Sequence, residues 1–374
     1  MDRIYLDAGG RAPVLPVARD AYLSALDDGW ADPRRLHAEA RRARLLLDAA
    51  REALAEALGA QPQEIRLTPG HTASLHTAVL ATARARRRAG TRVVTSAVER
   101  AALLAAARHV DDGATPVGVD HAGRVDLAAW SAALGPDVAL AALQHANGEV
   151  GTLQPVGEAH ELARRAGVPL LVDAGASVGH VPVEPAWDLL AADPADWGSV
   201  PGVGVLAVRT RVRASFAGPE DEEPWAPGGV SVPAAVAAAA ALRSLQDRRD
   251  EQDPRRSLVE RIRARVAAEV PQAEVAGDPV ARLPHVVTFS CLYVDGEAIV
   301  GELDRRGFAV GSGSACTSST LEPSHVLAAM GVLTQGNVRV ALPRGVDAAA
   351  VDRFCDAVPP AVAHARRMVG AEPD

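Results

Sequence analysis

Short apolar runs alternate with longer amphipathic stretches along most of this chain. Glu64–Thr68, Arg92–Thr95, Pro116–Val119, Val138–Leu143, Pro169–Asp173 and Gly204–Val208 are short and apolar, the pattern of strands buried on both faces. Between them Arg35–Leu58, His71–Arg88, Arg100–His109 and Gly157–Ala166 have helical spacing. Buried strands separated by helices predict a mostly parallel sheet covered on both sides, an α/β fold. Ala217–Gly229 holds Pro219, Pro224 and Pro227 around an acidic run and predicts a surface loop. Helices over Val232–Arg248 and Pro254–Val270 follow. From Pro284 onward, strand Val286–Val294, helix Gly296–Arg306, strand Phe308–Val310, a loop and helix, and strand Asn337–Leu342 predict a smaller α/β unit.

Composition narrows the chemistry. The chain has 374 residues; 48% are hydrophobic and only 3% aromatic, so the core must rest on Ala, Val and Leu. A net charge of -8 counts against general nucleic-acid binding. The Arg41, Arg42, Arg44 and Arg86, Arg87, Arg88 clusters read as solvated helix faces. All 39 basic residues are Arg, and none is Lys. This excludes a lysine Schiff base, a lysine general base and a P-loop lysine. The three cysteines, Cys291, Cys316 and Cys355, lack zinc spacing, and their sparse, odd count suits a reducing compartment. The start of the sequence has no apolar signal core, and no run of about 18 apolar residues occurs. A cytoplasmic location is expected, with no membrane partner.

Five segments hold groups suited to chemistry. Thr68-Pro69-Gly70-His71-Thr72-Ala73-Ser74, between a strand and a helix, offers backbone N–H groups to an anion, or simply caps the helix. Asp173 ends a buried strand, where ligands collect in open α/β sheets; it can pair with a cationic ring nitrogen or cap the next helix. Asn147 follows another strand and either reaches the same crevice or shapes a turn before Gly148. Gly311–Ser319 places Cys316 in a loop of small residues, where a thiol can swing between a sulfur donor and an acceptor. Cys291 and Cys355 fit core positions. Arg339 lies within an apolar strand and needs an anion, for which a carboxylate is the natural partner.

Taken in order, these segments resemble the cysteine desulfurase family, within the class V aminotransferase-like proteins of pyridoxal phosphate (PLP) fold type I. The resemblance starts at Ile4-Tyr5-Leu6-Asp7. It runs through Asp32-Pro33, Glu64-Ile65, Gly70, Thr72, His145-Ala146-Asn147, Val172-Asp173-Ala174, Ser177-Val178-Gly179 and Gly202-Val203-Gly204, to Ser312–Leu327 and Arg339. It implies a large domain over 15–250, with a mostly parallel sheet flanked by helices. The smaller α/β domain would comprise 1–14 and 251–374 and carry the Cys316 loop. It further implies a dimer. In the roles it implies, Asp173 pairs with the pyridine nitrogen, Asn147 lies near the ring hydroxyl, and His71 and Thr72 cradle the phosphate. Arg339 holds the substrate carboxylate, and Cys316 receives sulfur as a persulfide.

The chain departs from that pattern where the cofactor would be anchored. Aligned on Asp188 and Gly202-Val203-Gly204, Asp196 occupies the position of the Schiff-base lysine. Asp193 and Ala195 replace phosphate-binding residues. Arg100 stands where a His stacks on the ring, and Ala176 where a Gln binds the cofactor. Like charges about 4 Å apart cost roughly 4 kcal/mol at an effective dielectric of about 20, so two carboxylates beside a phosphate are adverse. The sequence therefore leads to the expectation of a vestigial PLP site and no cofactor. The expected role is sulfur trafficking through Cys316, as persulfide carrier or partner. The alternatives are an active desulfurase or other enzyme with unusual PLP anchoring, with Asp193 and Asp196 as an acid/base pair, and a structural or regulatory subunit pairing with a true desulfurase. Expected partners are a second copy or a desulfurase, and a protein sulfur donor or acceptor.

Overall fold

The computed structural model of the chain describes residues 3–219, 223–246, 253–312, 323–368 and 370. In chain order its first elements are β1 (Ile4–Tyr5), α1 (Pro16–Asp28), α2 (Ala38–Leu58), β2 (Ile65–Thr68), α3 (His71–Arg86), β3 (Arg92–Thr95), α4 (Ala101–Val110) and α5 (Leu127–Ala133). Next come β4 (Val138–Gln144), α6 (Val156–Arg165), β5 (Leu170–Asp173), β6 (Leu189–Ala192), β7 (Gly204–Val208), α7 (Val232–Gln246) and α8 (Arg255–Glu269). The remainder is β8 (Ala273–Val275), β9 (Val286–Cys291), α9 (Gly296–Arg305), β10 (Phe308–Ala309), α10 (His325–Met330), β11 (Val338–Ala341) and α11 (Ala348–Met368).

Six strands form the main sheet in the order β2-β7-β6-β5-β4-β3. Only β7 runs against its neighbours, so the expected mostly parallel α/β sheet is present. Every residue of β4, β5, β6 and β7 is buried, which explains their unbroken apolar runs. One face of the sheet packs on α2, α5, α6 and the alanine-rich α7. The other packs on α3 and α4 through Leu75, Val79, Leu103 and Ala106. A second sheet, β11-β9-β8, shares a separate core with α8, α9 and α11.

The N-terminal segment ties the two sheets' surroundings together. β1 pairs in parallel with β10, and Ala8 N donates to Ala341 O at 2.9 Å. Further on, Ala12 N donates to Ala195 O and Leu15 N to Gly198 O. The expected division near residue 250 falls at 247–252, outside the described residues. Among the described residues no helix is long and apolar enough to cross a membrane.

Three local readings change. Pro116–Val119 makes only isolated bridges, Ser96 to Val117 and Val119 to Val125, because Pro116 has no N–H and the segment is too short to propagate a ladder. β9 stops at Cys291, and Tyr293 turns the chain at φ 61°. β6 was not anticipated: Leu189-Leu190-Ala191-Ala192 carries no β-branched residue and becomes a strand because it fills the slot between β5 and β7.

A close backbone approach sets the entrance to α3. A Cβ on Gly204 would overlap the carbonyl group of Gly70, the N-cap of α3, and lie 2.7 Å from Thr68 Oγ1. Gly204→Ala is therefore expected to lower stability by about 1–3 kcal/mol, read as a drop in the urea midpoint at unchanged m-value.

Candidate active site

Residues just beyond the carboxyl ends of β3, β5 and β6 meet the first turn of α3. At the centre is Asp173, the last residue of β5, 2% exposed. His71 Nε2 lies 2.9 Å from its Oδ1, and Gly175 N donates to the same oxygen at 2.9 Å. Arg100 Nε donates to Oδ2 at 3.3 Å. Burial pushes the Asp173 carboxyl up, but His71, Arg100 and the Gly175 N–H outweigh it and hold it well below the usual carboxylate range. Gly175 is required here: a Cβ would stand 2.5 Å from His71 Nε2.

Glu99, beside Arg100, behaves oppositely. It is fully buried, and Ser96 Oγ and Gln144 N donate to its Oε1 at 2.5 and 3.0 Å. Burial, reinforced by the charge on Asp173, raises its carboxyl to about 8 despite those bonds. Its Oε2 is buried with no hydrogen-bond partner among the described residues. Neighbouring carboxyls pushed in opposite directions are a hallmark of acid–base sites. Asp193, past β6, is also raised, first by burial and further by the Asp196 charge.

Asp196 is 1% exposed and faces away from solvent, held by Gly10 N at 2.5 Å and His180 Nε2 at 3.0 Å. His180 stacks on His285 with ring centroids 3.9 Å apart. The three residues bring potential ligand atoms within 4.8 Å of one another. However, Arg255 Nη2 lies 3.1 Å from His180 Nδ1, with Arg344 Nη2 at 3.5 Å. Those guanidinium donors make Nδ1 the acceptor, so Nε2 bears the hydrogen, which the Asp196 carbonyl oxygen accepts at 3.2 Å. Stacked rings and two nearby cations define a charge-compensated cluster rather than a cation cradle.

The other anticipated residues sit around this centre. Asn147 is buried in its own turn: its Oδ1 accepts from Glu149 N and Val150 N, and its Nδ2 donates to Val98 O. Thr72 lies exposed on the first turn of α3. Arg339, on β11, pairs with Asp7 at 2.9 Å and keeps a buried Nε without a partner among the described residues. Cys316 lies outside the described residues, but the residues on either side of 313–322 are placed. Gly311 exchanges backbone hydrogen bonds with Arg339. Ser324 Oγ donates to Glu149 Oε2 at 2.9 Å, and Asn337 Nδ2 to Glu149 Oε1 at 3.3 Å. Cys291 and Cys355 are buried core thiols, each pushed up to about 11 by burial.

Sequence reasoning missed Glu99, His180 and His285. A charged residue ending the otherwise uncharged Ser96-Ala97-Val98-Glu99 run just past a strand was a usable signal for the first. The two histidines are far apart in sequence, and only the fold brings them together.

The sheet order, the buried carboxylate at the end of β5 and the arginine of β11 define a protein of the PLP fold type I class. The aminotransferase class-V family model matches residues 4–354, and the chain belongs to that family. It is 36% identical to a cysteine desulfurase of Cereibacter sphaeroides, covering 100% of this chain and 99% of that protein. It is 34% identical to the cysteine desulfurase NifS of Azotobacter vinelandii, covering 98% and 94%. A solved NifS-like protein superposes with a TM-score of 0.89 at 23% identity, covering 97% of this chain and 100% of that one.

The family corrects one expectation. Cysteine desulfurases are PLP-dependent, so the anticipation of no cofactor does not stand. The residues present fit that group in part. Asp173 is a buried, ionised partner for a ring nitrogen, and His71 Nδ1 and Glu99 Oε2 are buried atoms that a bound group would satisfy. The covalent tether does not fit, because the chain contains no lysine.

Glu99 gives the site a measurable pH signature. Its proton is held to about 8 in the native state but leaves near 4.5 in the unfolded chain, so the unfolded state binds fewer protons across that window. Its contribution to the unfolding free energy therefore falls with rising pH, by up to about 1.4 kcal/mol per unit. His145, held at about 4 by burial, acts with the opposite sign between there and 6.5, so the difference between variants is the informative quantity. Relative to the parent, Glu99→Gln should gain stability from pH about 5 to about 8 in urea unfolding; a constant difference would contradict the assignment.

Proposed function

We propose that this chain serves sulfur trafficking, accepting sulfane sulfur on Cys316 and passing it to a partner, without a lysine-anchored reaction of its own. The observation that carries this reading is the contrast between two parts of the chain. The Cys316 segment resembles the family's cysteine segment and has the residues on either side of it tied to Glu149 and Arg339, while position 196 holds a buried aspartate. PLP, when bound, supplies an electron sink for reactions at an amino acid. Asp173 would hold its ring nitrogen. The chain's own residues supply the rest: Arg339 to bind a carboxylate, Arg100 and His71 to balance Asp173, and the thiol of Cys316. Incubated with an active cysteine desulfurase and cysteine, the protein is expected to gain one sulfur atom on Cys316 by intact-mass and peptide mass spectrometry, and Cys316→Ser to gain none. An unmodified Cys316 would end the carrier reading.

A second reading, an enzyme active on cysteine, is favoured by the opposite displacement of Glu99 and Asp173. Sulfide release from cysteine after incubation with PLP, lost in Asp173→Asn, would establish it.

The carrier is proposed to work as a dimer of this chain, with a true desulfurase as the alternative partner. Trp30, Leu36 and Leu45, on the turn after α1 and on α2, are 69%, 89% and 70% exposed and are the apolar side chains that a partner would cover. Sedimentation is expected to give twice the chain mass, and Leu36→Glu with Leu45→Glu to shift it toward the monomer.

A further inference from the structure

A cavity of about 370 Å³ lies apart from the cluster at Asp173, where the large sheet's surroundings meet those of the smaller sheet. One wall is apolar and belongs to the core of the large sheet: Leu58 at the end of α2, Val183 beyond β5, and Leu242 and Leu245 of α7. The other wall comes from the smaller unit, with Asp253 and Arg255 at the start of α8 and Arg344 just past β11. His180 stands where the two walls join. Protein interiors keep few voids much larger than a water molecule. A space of this size, apolar on one side with a few charged groups on the other, matches small-molecule sites of roughly 300–1,000 Å³.

The charges on the second wall do not cancel. Arg255 is buried, and Asp253 takes its charge, with Nη2 to Oδ2 at 2.6 Å and Nε to Oδ1 at 2.9 Å. Its Nη1 donates to Leu342 O at 3.1 Å. Arg344 is exposed at the cavity's edge and donates through Nη2 to Gly179 O, with His180 Nδ1 at 3.5 Å. Burial pushes the His180 imidazole down, so it adds no positive charge near neutral pH. Asp196 faces the opposite nitrogen of that ring and does not line the cavity. Two guanidiniums thus share one lining carboxylate, and the excess cation is Arg344.

This arrangement selects a ligand by shape and charge. A guanidinium presents several N–H donors in a planar fork and can take a carboxylate while keeping a backbone contact. A dianion such as phosphate would need more donors and would meet Asp253. An ammonium would meet Arg344. An apolar chain covers the Leu58, Val183, Leu242 and Leu245 side chains and gains affinity with each methylene it buries.

We propose that this cavity binds an amphipathic monocarboxylate, its apolar chain against Leu58, Val183, Leu242 and Leu245 and its carboxylate on Arg344. Binding makes and breaks no covalent bond. The site is separate from Asp173 and Cys316, so it does not depend on the sulfur-trafficking reading.

The test titrates sodium octanoate into the full chain by calorimetry at a pH of about 7. Saturable binding of one octanoate per chain is expected. Hexanoate, two methylenes shorter, should bind roughly tenfold more weakly. Octan-1-ol, which keeps the chain but lacks the charge, should bind at least fivefold more weakly than octanoate. Arg344→Gln should weaken octanoate at least fivefold and leave octan-1-ol within twofold. Leu245→Trp, which fills the apolar side, should abolish binding of both. Should either variant not fold, the other variant and the probe series on the parent decide. Absence of saturable octanoate binding, equal affinity for hexanoate and octanoate, equal affinity for octan-1-ol and octanoate, or unchanged octanoate affinity in Arg344→Gln or Leu245→Trp would overturn the proposal.

Discussion

Asp173 imposes the constraint around which this site is organised: a carboxylate at the end of a buried strand must be paired or neutralised. An unpaired charge in that position would cost several kcal/mol. The chain answers with His71 on one oxygen, Arg100 on the other and the Gly175 N–H on the first. Each partner comes from a different place. His71 opens α3, whose start is brought close by the Gly70–Gly204 contact, and Arg100 follows β3 at the far edge of the same sheet. Burial keeps Glu99 protonated and the negative charge of Asp173 adds to that, so the two neighbouring carboxyls are held in opposite states.

A second consequence concerns position 196. A carboxylate buried there must find partners. The structure absorbs this by turning Asp196 toward Gly10 N and His180, while Arg255 and Arg344 face the other side of that imidazole. Asp196 thus serves as an anchor for the N-terminal segment, which also places Asp7 on Arg339.

Much of the architecture was legible because it depends on pattern. The buried runs of β4, β5 and β7 are continuous and apolar, and the helices between them carry clear periodicity. β6 escaped because its Leu-Leu-Ala-Ala run has no strand preference of its own, and the neighbours on either side decide its state. In the site, Asp173 and Arg339 could be read from a charge at the end of, or within, an apolar strand. His71 could be named but not its partner, because the 2.9 Å contact with Asp173 joins residues a hundred positions apart. Asn147 illustrates the converse: its amide is consumed by local turn bonds, an outcome that Asn followed by Gly leaves open. The cofactor expectation went astray because a missing lysine speaks to covalent anchoring, whereas the family's dependence on PLP concerns binding as well.

The most direct measurement of the charge arrangement at Asp173 is a carboxyl-carbon NMR titration of the labelled protein, with Asp173→Asn and Glu99→Gln used for assignment. The account predicts that the Asp173 carboxyl stays ionised to the acid limit of the folded state, while the Glu99 carboxyl titrates near 8. Both carboxyls titrating together in the ordinary range near 4 would contradict it.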